Sequence, residues 1–302
     1  MKYCDVGGVT ASRIVIGCMR MADKPLRQVE QIIFEALKSG ANTFDHADIY
    51  GKGDSETLFG VAVRDLGLKR EDLILQSKCG IRPGFYDFSY EHILASVEGS
   101  LKRLNCEYLD VLLLHRPDAL MDEYEVCKAF DRLQADGKVR AFGVSNFSPL
   151  QIELLRSAGV QVAINQVQFS LMQSALVDEG LNVNTEKNEA AVRTSGLMDY
   201  CRLNKVKLQA WSPLSYGFMD GIFVGDEKFP ALNAELFRIA EKYEVAPAAI
   251  AVAWILRHPA AMQAVVGSTT PERVADICKA ADIKLTREEW YSLYTATGKT
   301  LP

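Results

Sequence analysis

The feature that most constrains this chain is an alternation of short β-branched or aliphatic runs with longer amphipathic ones, sustained along nearly its whole length. Arg13–Gly17, Asn42–Asp45, Leu73–Lys78, Leu109–His115, Val139–Ser145, Ala163–Val167, Lys207–Trp211 and Ala264–Gly267 read as eight strands. Helical periodicity fills intervals such as about 26–39, 89–104 and 122–136. Leu109–His115 is almost wholly apolar, as a strand buried on both faces should be. Strands alternating with helices require parallel pairing with helical crossovers. An open doubly wound sheet and a closed barrel both satisfy that order. Eight units in 302 residues favour the (β/α)₈ TIM barrel. No Gly/Ser/Pro-rich linker or charge block interrupts the series, so a single domain over 1–302 is expected. A hairpin near Tyr3–Val6 and Thr10–Ser12, turning at Gly7-Gly8, is expected to cap the barrel bottom. Two segments, about 168–190 and about 212–230, are too long for plain connections and are therefore expected to be functional.

Composition excludes several classes of function. With 34 Lys and Arg against 39 Asp and Glu, the net charge is −5 and the basic residues form no run. Neither nucleic acid nor an anionic membrane is an expected partner. Seven cysteines without a C-x-x-C pair read as reduced thiols, which implies a cytoplasmic protein. No apolar stretch reaches 18 residues, so no membrane span is expected. No G-x-G-x-x-G follows a strand, so a dinucleotide would not bind in the Rossmann manner. Gly298-Lys299-Thr300 resembles the end of a phosphate loop but has no strand leading into it. No metal is implied, because His46, His92 and His258 share no ligand spacing with a cysteine or carboxylate cluster apart from His46 near Asp48, a pair better explained as turn residues.

The informative residues are polar ones at the ends of apolar strands. The second strand ends in Asp45 and runs into His46-Ala47-Asp48-Ile49-Tyr50-Gly51; the third ends in Lys78 and the fourth in His115. Each has an ordinary structural explanation. A strand-end histidine is usually satisfied locally, a rim lysine reaches water, a loop tyrosine packs, and an aspartate caps a turn. Their joint placement on three consecutive strands weighs against four accidents, since a barrel gathers those ends on the face where barrel enzymes work.

Phe44–Gly51 with Ser55-Glu56, Leu109–His115, Gly137–Phe147, Asn165-Gln166 and Trp211-Ser212-Pro213-Leu214 occur in the order found in aldo-keto reductases, and the chain resembles that family over nearly its whole length. His115-Arg116-Pro117-Asp118 and the ending near Trp290-Tyr291 resemble a bacterial oxidoreductase branch of it. The resemblance implies a catalytic tetrad of Asp45, Tyr50, Lys78 and His115. Hydride addition to a carbonyl builds charge on oxygen, which must then receive a proton. Tyr50 is the expected donor. Lys78 is expected to lower its pKa, Asp45 to hold Lys78, and His115 to orient the carbonyl.

The same resemblance places a cofactor, NADP(H), along the later strand ends. Ser145, Asn146 and Gln166 would grip the nicotinamide carboxamide, with Trp211 stacked on the ring and Met19 nearby. Ser212, Pro213, Leu214 and Gly217 would follow the pyrophosphate. After the eighth strand, Gly267, Ser268, Thr269 and Arg273 open a helix, with Thr269 and Glu272 at capping-box spacing, and would hold the 2′-phosphate; Asp276 would meet the adenine amino group. Gly267 stands where many members carry lysine, and Ile277 where many carry asparagine, which narrows the expected preference over NAD(H). Met19, Phe85, Tyr86, Phe88, Tyr216, Phe218 and Phe223 are expected to line a pocket for a small carbonyl compound. A nucleotide-binding regulatory barrel of the channel-subunit kind, with little turnover, is the alternative, and a barrel lyase or isomerase a third reading. The intact tetrad favours the enzyme.

Overall fold

The computed structural model describes residues 2–218 and 220–302. Eight parallel strands close into a barrel: β1 (Ile14–Gly17), β2 (Thr43–Asp45), β3 (Ile74–Cys79), β4 (Leu109–Leu114), β5 (Val139–Ser145), β6 (Val162–Gln168), β7 (Lys207–Trp211) and β8 (Gln263–Val266). They pair in sequence order, and β8 returns to β1 through Ala264↔Ile14, Val265↔Val15 and Val266↔Ile16. The doubly wound alternative is thereby excluded. β4 is buried at all six positions, which is why its sequence shows no alternation.

Helix starts follow their local chemistry. Ser89 caps Tyr90–Leu104 by accepting the His92 N–H, and Asp122 caps Glu123–Ala135. Ser148 and Gln151 form a reciprocal capping box ahead of Pro149–Ser157. The helix Pro247–Arg257 is buried continuously from Ala249 to Leu256, so it shows no polar face. Its Trp254 stacks on Trp290 at 4.8 Å, and each indole N–H donates to the other residue's carbonyl.

The hairpin Tyr3–Val6/Val9–Ser12 closes the N-terminal end of the barrel. Val6, Val9 and Ala11 pack with Ile74, Val111, Leu113, Ala141 and Ile164, all buried, to form a plug. Its turn lies so close that a Cβ on Gly7, whose φ is +61°, would sit 2.9 Å from the Ala163 Cβ. That end of the barrel is thus filled by side chains. The two long segments differ from one another. The first contains a helix, Ala175–Leu181, whereas the described residues of 212–229 form no helix and are joined by an isolated bridge, Ser215↔Ile222. Among the described residues, no helix is long and apolar enough to cross a membrane.

Candidate active site

Above the plug the barrel interior turns polar. Lys78 on β3 is fully buried, and its ammonium donates to Asp45 Oδ2 at 2.7 Å, to the His46 carbonyl at 2.8 Å and to Tyr50 Oη at 3.0 Å. Three N–H groups meet three acceptors, so the ammonium has no donor left. Because Tyr50 Oη accepts from Lys78, the phenol's own hydrogen must point elsewhere. Tyr50 meets His115 edge to face, with ring centroids 5.8 Å apart. The four residues singled out by sequence therefore converge.

Burial would drive Lys78 down, but Asp45 and Tyr50 outweigh it and hold its pKa above the ordinary value. Lys78 draws the Tyr50 pKa down as expected, but the net shift is upward. Burial pushes that pKa up more than Lys78 draws it down, so the phenol stays protonated in the free enzyme. His115 is driven well below the usual histidine range by burial, by Lys78 and by Arg116, so it is neutral. Its Nδ1 is buried without a partner, which leaves Nε2 as the usable ring nitrogen.

The sequence reading missed the support for Asp45. Gln76 Nε2 donates to Asp45 Oδ1 at 2.5 Å and to Gln209 Oε1 at 2.8 Å, while Gln166 Nε2 donates to Asp45 Oδ1 at 3.0 Å. Gln209 passes the chain to Gln263 at 3.1 Å, and Gln263 donates to the Ser12 carbonyl at 2.8 Å. Glutamines on inward-facing positions of the apolar strands β3, β6, β7 and β8 were the available signal. Gln166 thus spends its amide N–H groups inside the barrel, and its Oε1 makes no hydrogen bond among the described residues.

Two motif acids serve structure. Asp110 accepts from Arg70, Arg140 and the Leu75 N–H, with Tyr108 sandwiched between the two guanidinium groups. Glu56 is fully buried and ties Ser77 to Arg103, which fixes the helix Asp54–Asp65. Beside them His46 is buried with neither ring nitrogen partnered, and burial together with Lys78 lowers its pKa to about 3. Burial and Glu56 raise Asp48 to about 6.

Along the later strand ends, Asn146 and Ser212 both have left-handed backbones, with φ of +61° and +51°. Such strain clusters where geometry serves function. Trp211 Nε1 donates to Asn146 Oδ1, Asn146 Nδ2 donates to Ser145 Oγ, and Ser145 Oγ donates to the Gln166 carbonyl. The indole is locked in place. Pro213 and Gly217 are buried and Leu214 is half-buried; the Gly217 carbonyl accepts from Gln168. Met19 is exposed beyond β1.

After β8, Gly267 is open to solvent with nothing near a hypothetical Cβ. The helix Pro271–Cys278 starts one residue later than the capping box required. Thr270 is its N-cap and makes no side-chain cap; Ser268 Oγ accepts the Thr270 N–H at 3.3 Å, and the Thr269 carbonyl receives Gln28. The expected Thr269/Glu272 box does not form, because the proline at the first helical position sets the register. Arg273 is exposed and makes no ion pair or hydrogen bond among the described residues. Asp276 pairs with Lys279 at 2.7 Å.

The pocket expectation needs two corrections. Phe223 is completely buried, and Phe88 nearly so, beneath Gly80 and beside Phe147. Both support the floor rather than line an opening. Phe85, Tyr86 and Phe218 are exposed; Tyr216 is half-buried against Phe229.

Residues 13–296 match the model of the aldo/keto reductase family. The chain belongs to the aldo/keto reductase family. It is 36% identical over 303 residues to 6-dehydroglucose reductase of Agrobacterium fabrum, covering 95% of each chain. Oxidoreductase YdhF of Escherichia coli is 36% identical over 301 residues, covering 96% of this chain and 94% of that protein. A thermostable aldo-keto reductase solved with the inhibitor epalrestat superimposes with a TM-score of 0.76 at 26% identity, covering 98% of this chain and 100% of that one. The aldo/keto reductase is accordingly an oxidoreductase of carbonyl compounds, in a family that uses nicotinamide cofactors.

Proposed function

We propose that this chain acts as one domain that reduces a small aldehyde or ketone with NADP(H), with Tyr50 as proton donor and Lys78, Asp45 and His115 in support. The observation that carries this reading is the saturation of the Lys78 ammonium by Asp45, the His46 carbonyl and Tyr50. A bound nicotinamide cofactor supplies the hydride. Neutral His115 donates from Nε2 to the carbonyl oxygen and positions it beside Tyr50. As charge builds on that oxygen it becomes more basic than the phenolate, so a phenol with a raised pKa still gives up its proton at the right moment. The charge then left on Tyr50 Oη is held by Lys78 at 3.0 Å. Asp45 keeps the ammonium charged, and the amides of Gln76 and Gln166 keep Asp45 in place.

The fit to the cofactor rests on chemistry available in the chain. Trp211 presents an indole pinned by Asn146, and Ser145 and the free Oε1 of Gln166 lie at the adjacent strand ends. Ser212, Pro213, Leu214 and Gly217 would pass the pyrophosphate, with Met19 across from them. Arg273, an exposed cation without a partner in the first turn of Pro271–Cys278, would take the 2′-phosphate with Gly267, Ser268 and Thr269. Asp276 would have to leave Lys279 to reach an adenine amino group. Phe85, Tyr86 and Tyr216 would flank the substrate.

Two measurements test the reading. Tyr50→Phe should lower kcat for carbonyl reduction by roughly 10²–10⁴-fold while leaving the NADPH dissociation constant in place. Retention of more than about a tenth of the turnover removes Tyr50 as the acid. Arg273→Ala should weaken NADPH by about 10- to 150-fold and NADH hardly at all, as expected for one charge-assisted contact. Equal losses for both nucleotides, or a wild type that prefers NADH, would reverse the cofactor assignment.

A further inference from the structure

Arg116 follows His115 directly and is not used by the mechanism above. Its guanidinium lies 5.6 Å from the Trp211 ring and 5.9 Å from the Phe218 ring. It is half-buried, and its charge is close enough to His115 to depress that imidazole. It forms no ion pair and no hydrogen bond among the described residues. Asp118, two residues on, spends Oδ1 on the Leu120 N–H. Lys78, by contrast, is neutralised by Asp45 and has no donor left. Arg116 therefore brings to the mouth of the site a guanidinium with no ion pair among the described residues, set between an exposed phenyl ring and the indole proposed to meet the nicotinamide.

A guanidinium on aromatic faces is oriented, yet five N–H donors remain to be satisfied. An anionic group on the substrate would satisfy them with charge assistance. We propose that Arg116 determines substrate specificity by binding an anionic group carried a few bonds from the reacting carbonyl, so that the preferred substrate class is an oxo acid rather than a neutral aldehyde. This rests on the carbonyl-reductase reading of the same site. It adds that His115 holds the carbonyl while its chain neighbour holds the anion, so both ends of a short substrate are fixed by consecutive residues.

The test compares succinic semialdehyde with butanal, which share a four-carbon chain and differ in the carboxylate. Wild type should prefer succinic semialdehyde in kcat/KM. Arg116→Met, which keeps a long side chain against the rings, should reduce the ratio of the two kcat/KM values by about 10- to 150-fold, the range for one charge-assisted contact. Any change at His115 affects both substrates and cancels in that ratio. Arg116→Lys should recover part of the ratio, since an ammonium returns the charge without the planar fork. An unchanged ratio, or a wild type without preference, overturns the proposal. Weaker NADPH binding by Arg116→Met, read by fluorescence quenching, would overturn it too, because Arg116 would then be a cofactor residue. If neither aldehyde is turned over, the carbonyl-reductase reading fails separately. The anion contact is then read by calorimetry with 4-amino-4-oxobutanoate, an unreactive amide of the same length. Binding to wild type that is lost in Arg116→Met supports the contact, and equal or absent binding overturns it.

Discussion

Replacing Lys78 by methionine tests the centre of the site through stability as well as activity. The lysine side chain is 0% exposed and that of Asp45 is 3% exposed. Removing one partner of a buried pair strands the other charge, at a typical cost of about 3–5 kcal/mol. Here Asp45 keeps two amide donors, from Gln76 and Gln166, so the loss should fall near the lower end, about 3 kcal/mol. Asp45→Asn in the same chain removes the stranded charge. Asp45→Asn alone strands the Lys78 charge in turn, so the double variant should be far less destabilised than the sum of the two single losses. Because Lys78 is held above its ordinary pKa of 10.5, its share of the pair's contribution is present at neutral pH and is lost as pH rises above that value. Urea unfolding at pH 7.5, followed by both fluorescence and circular dichroism so that a two-state transition is verified, supplies the four free energies. Activity must follow a different course. Both variants should be nearly inactive, and any residual activity should move to higher pH, since burial of Tyr50 is then unopposed. Additive destabilisation in the double variant would refute the buried pair, and an unchanged pH profile in folded Lys78→Met would refute its action on Tyr50.

Asp48, raised to about 6 from 3.8, is a cost to the fold that is absent below pH 4, grows up to pH 6 and is constant above it. Asp48→Asn should therefore stabilise by up to about 3 kcal/mol at pH 7.5 and by little at pH 4, checked by unfolding at both values. His46 acts in the opposite sense. Held neutral with a pKa of about 3, it removes stability as pH falls below 6.5, so His46→Phe should flatten the acid limb of a melting-temperature profile. Gly80 has φ of +105°, and a Cβ there would sit 2.0 Å from the Phe88 ring. Gly80→Ala should lower the melting temperature by several degrees, consistent with a few kcal/mol of overpacking and backbone strain.

Much of this was legible in the sequence because barrel units are local. Each strand and helix is written in its own periodicity, and strand ends such as Asp45, Lys78 and His115 need only the topology to bring them together. The Tyr3–Ser12 hairpin was readable for the same reason, from its Gly7-Gly8 turn. What escaped was non-local. Gln76, Gln209 and Gln263 look like stray polar residues until closure places them on one axis. Phe88 and Phe223 looked like pocket residues because aromatic loop positions carry no mark of which way they face. The sign of the Tyr50 shift was missed because a motif announces the neighbouring charge but not the depth of burial. Thr269 and Glu272 had cap spacing, yet Pro271 set the start of the helix.

The column of side-chain amides behind Asp45 has a consequence for proton traffic. Carboxamides neither take up nor release protons near neutrality, so the line from Asp45 through Gln76, Gln209 and Gln263 to the Ser12 carbonyl conducts orientation without conducting protons. The far end is sealed by the packed side chains of the hairpin plug. Beyond Asp45 that line therefore offers no titrating group. On the role proposed for Tyr50, each proton it delivers would be replaced from solvent through the mouth by which reactants arrive, so that resetting the acid and exchanging the ligand share a single doorway.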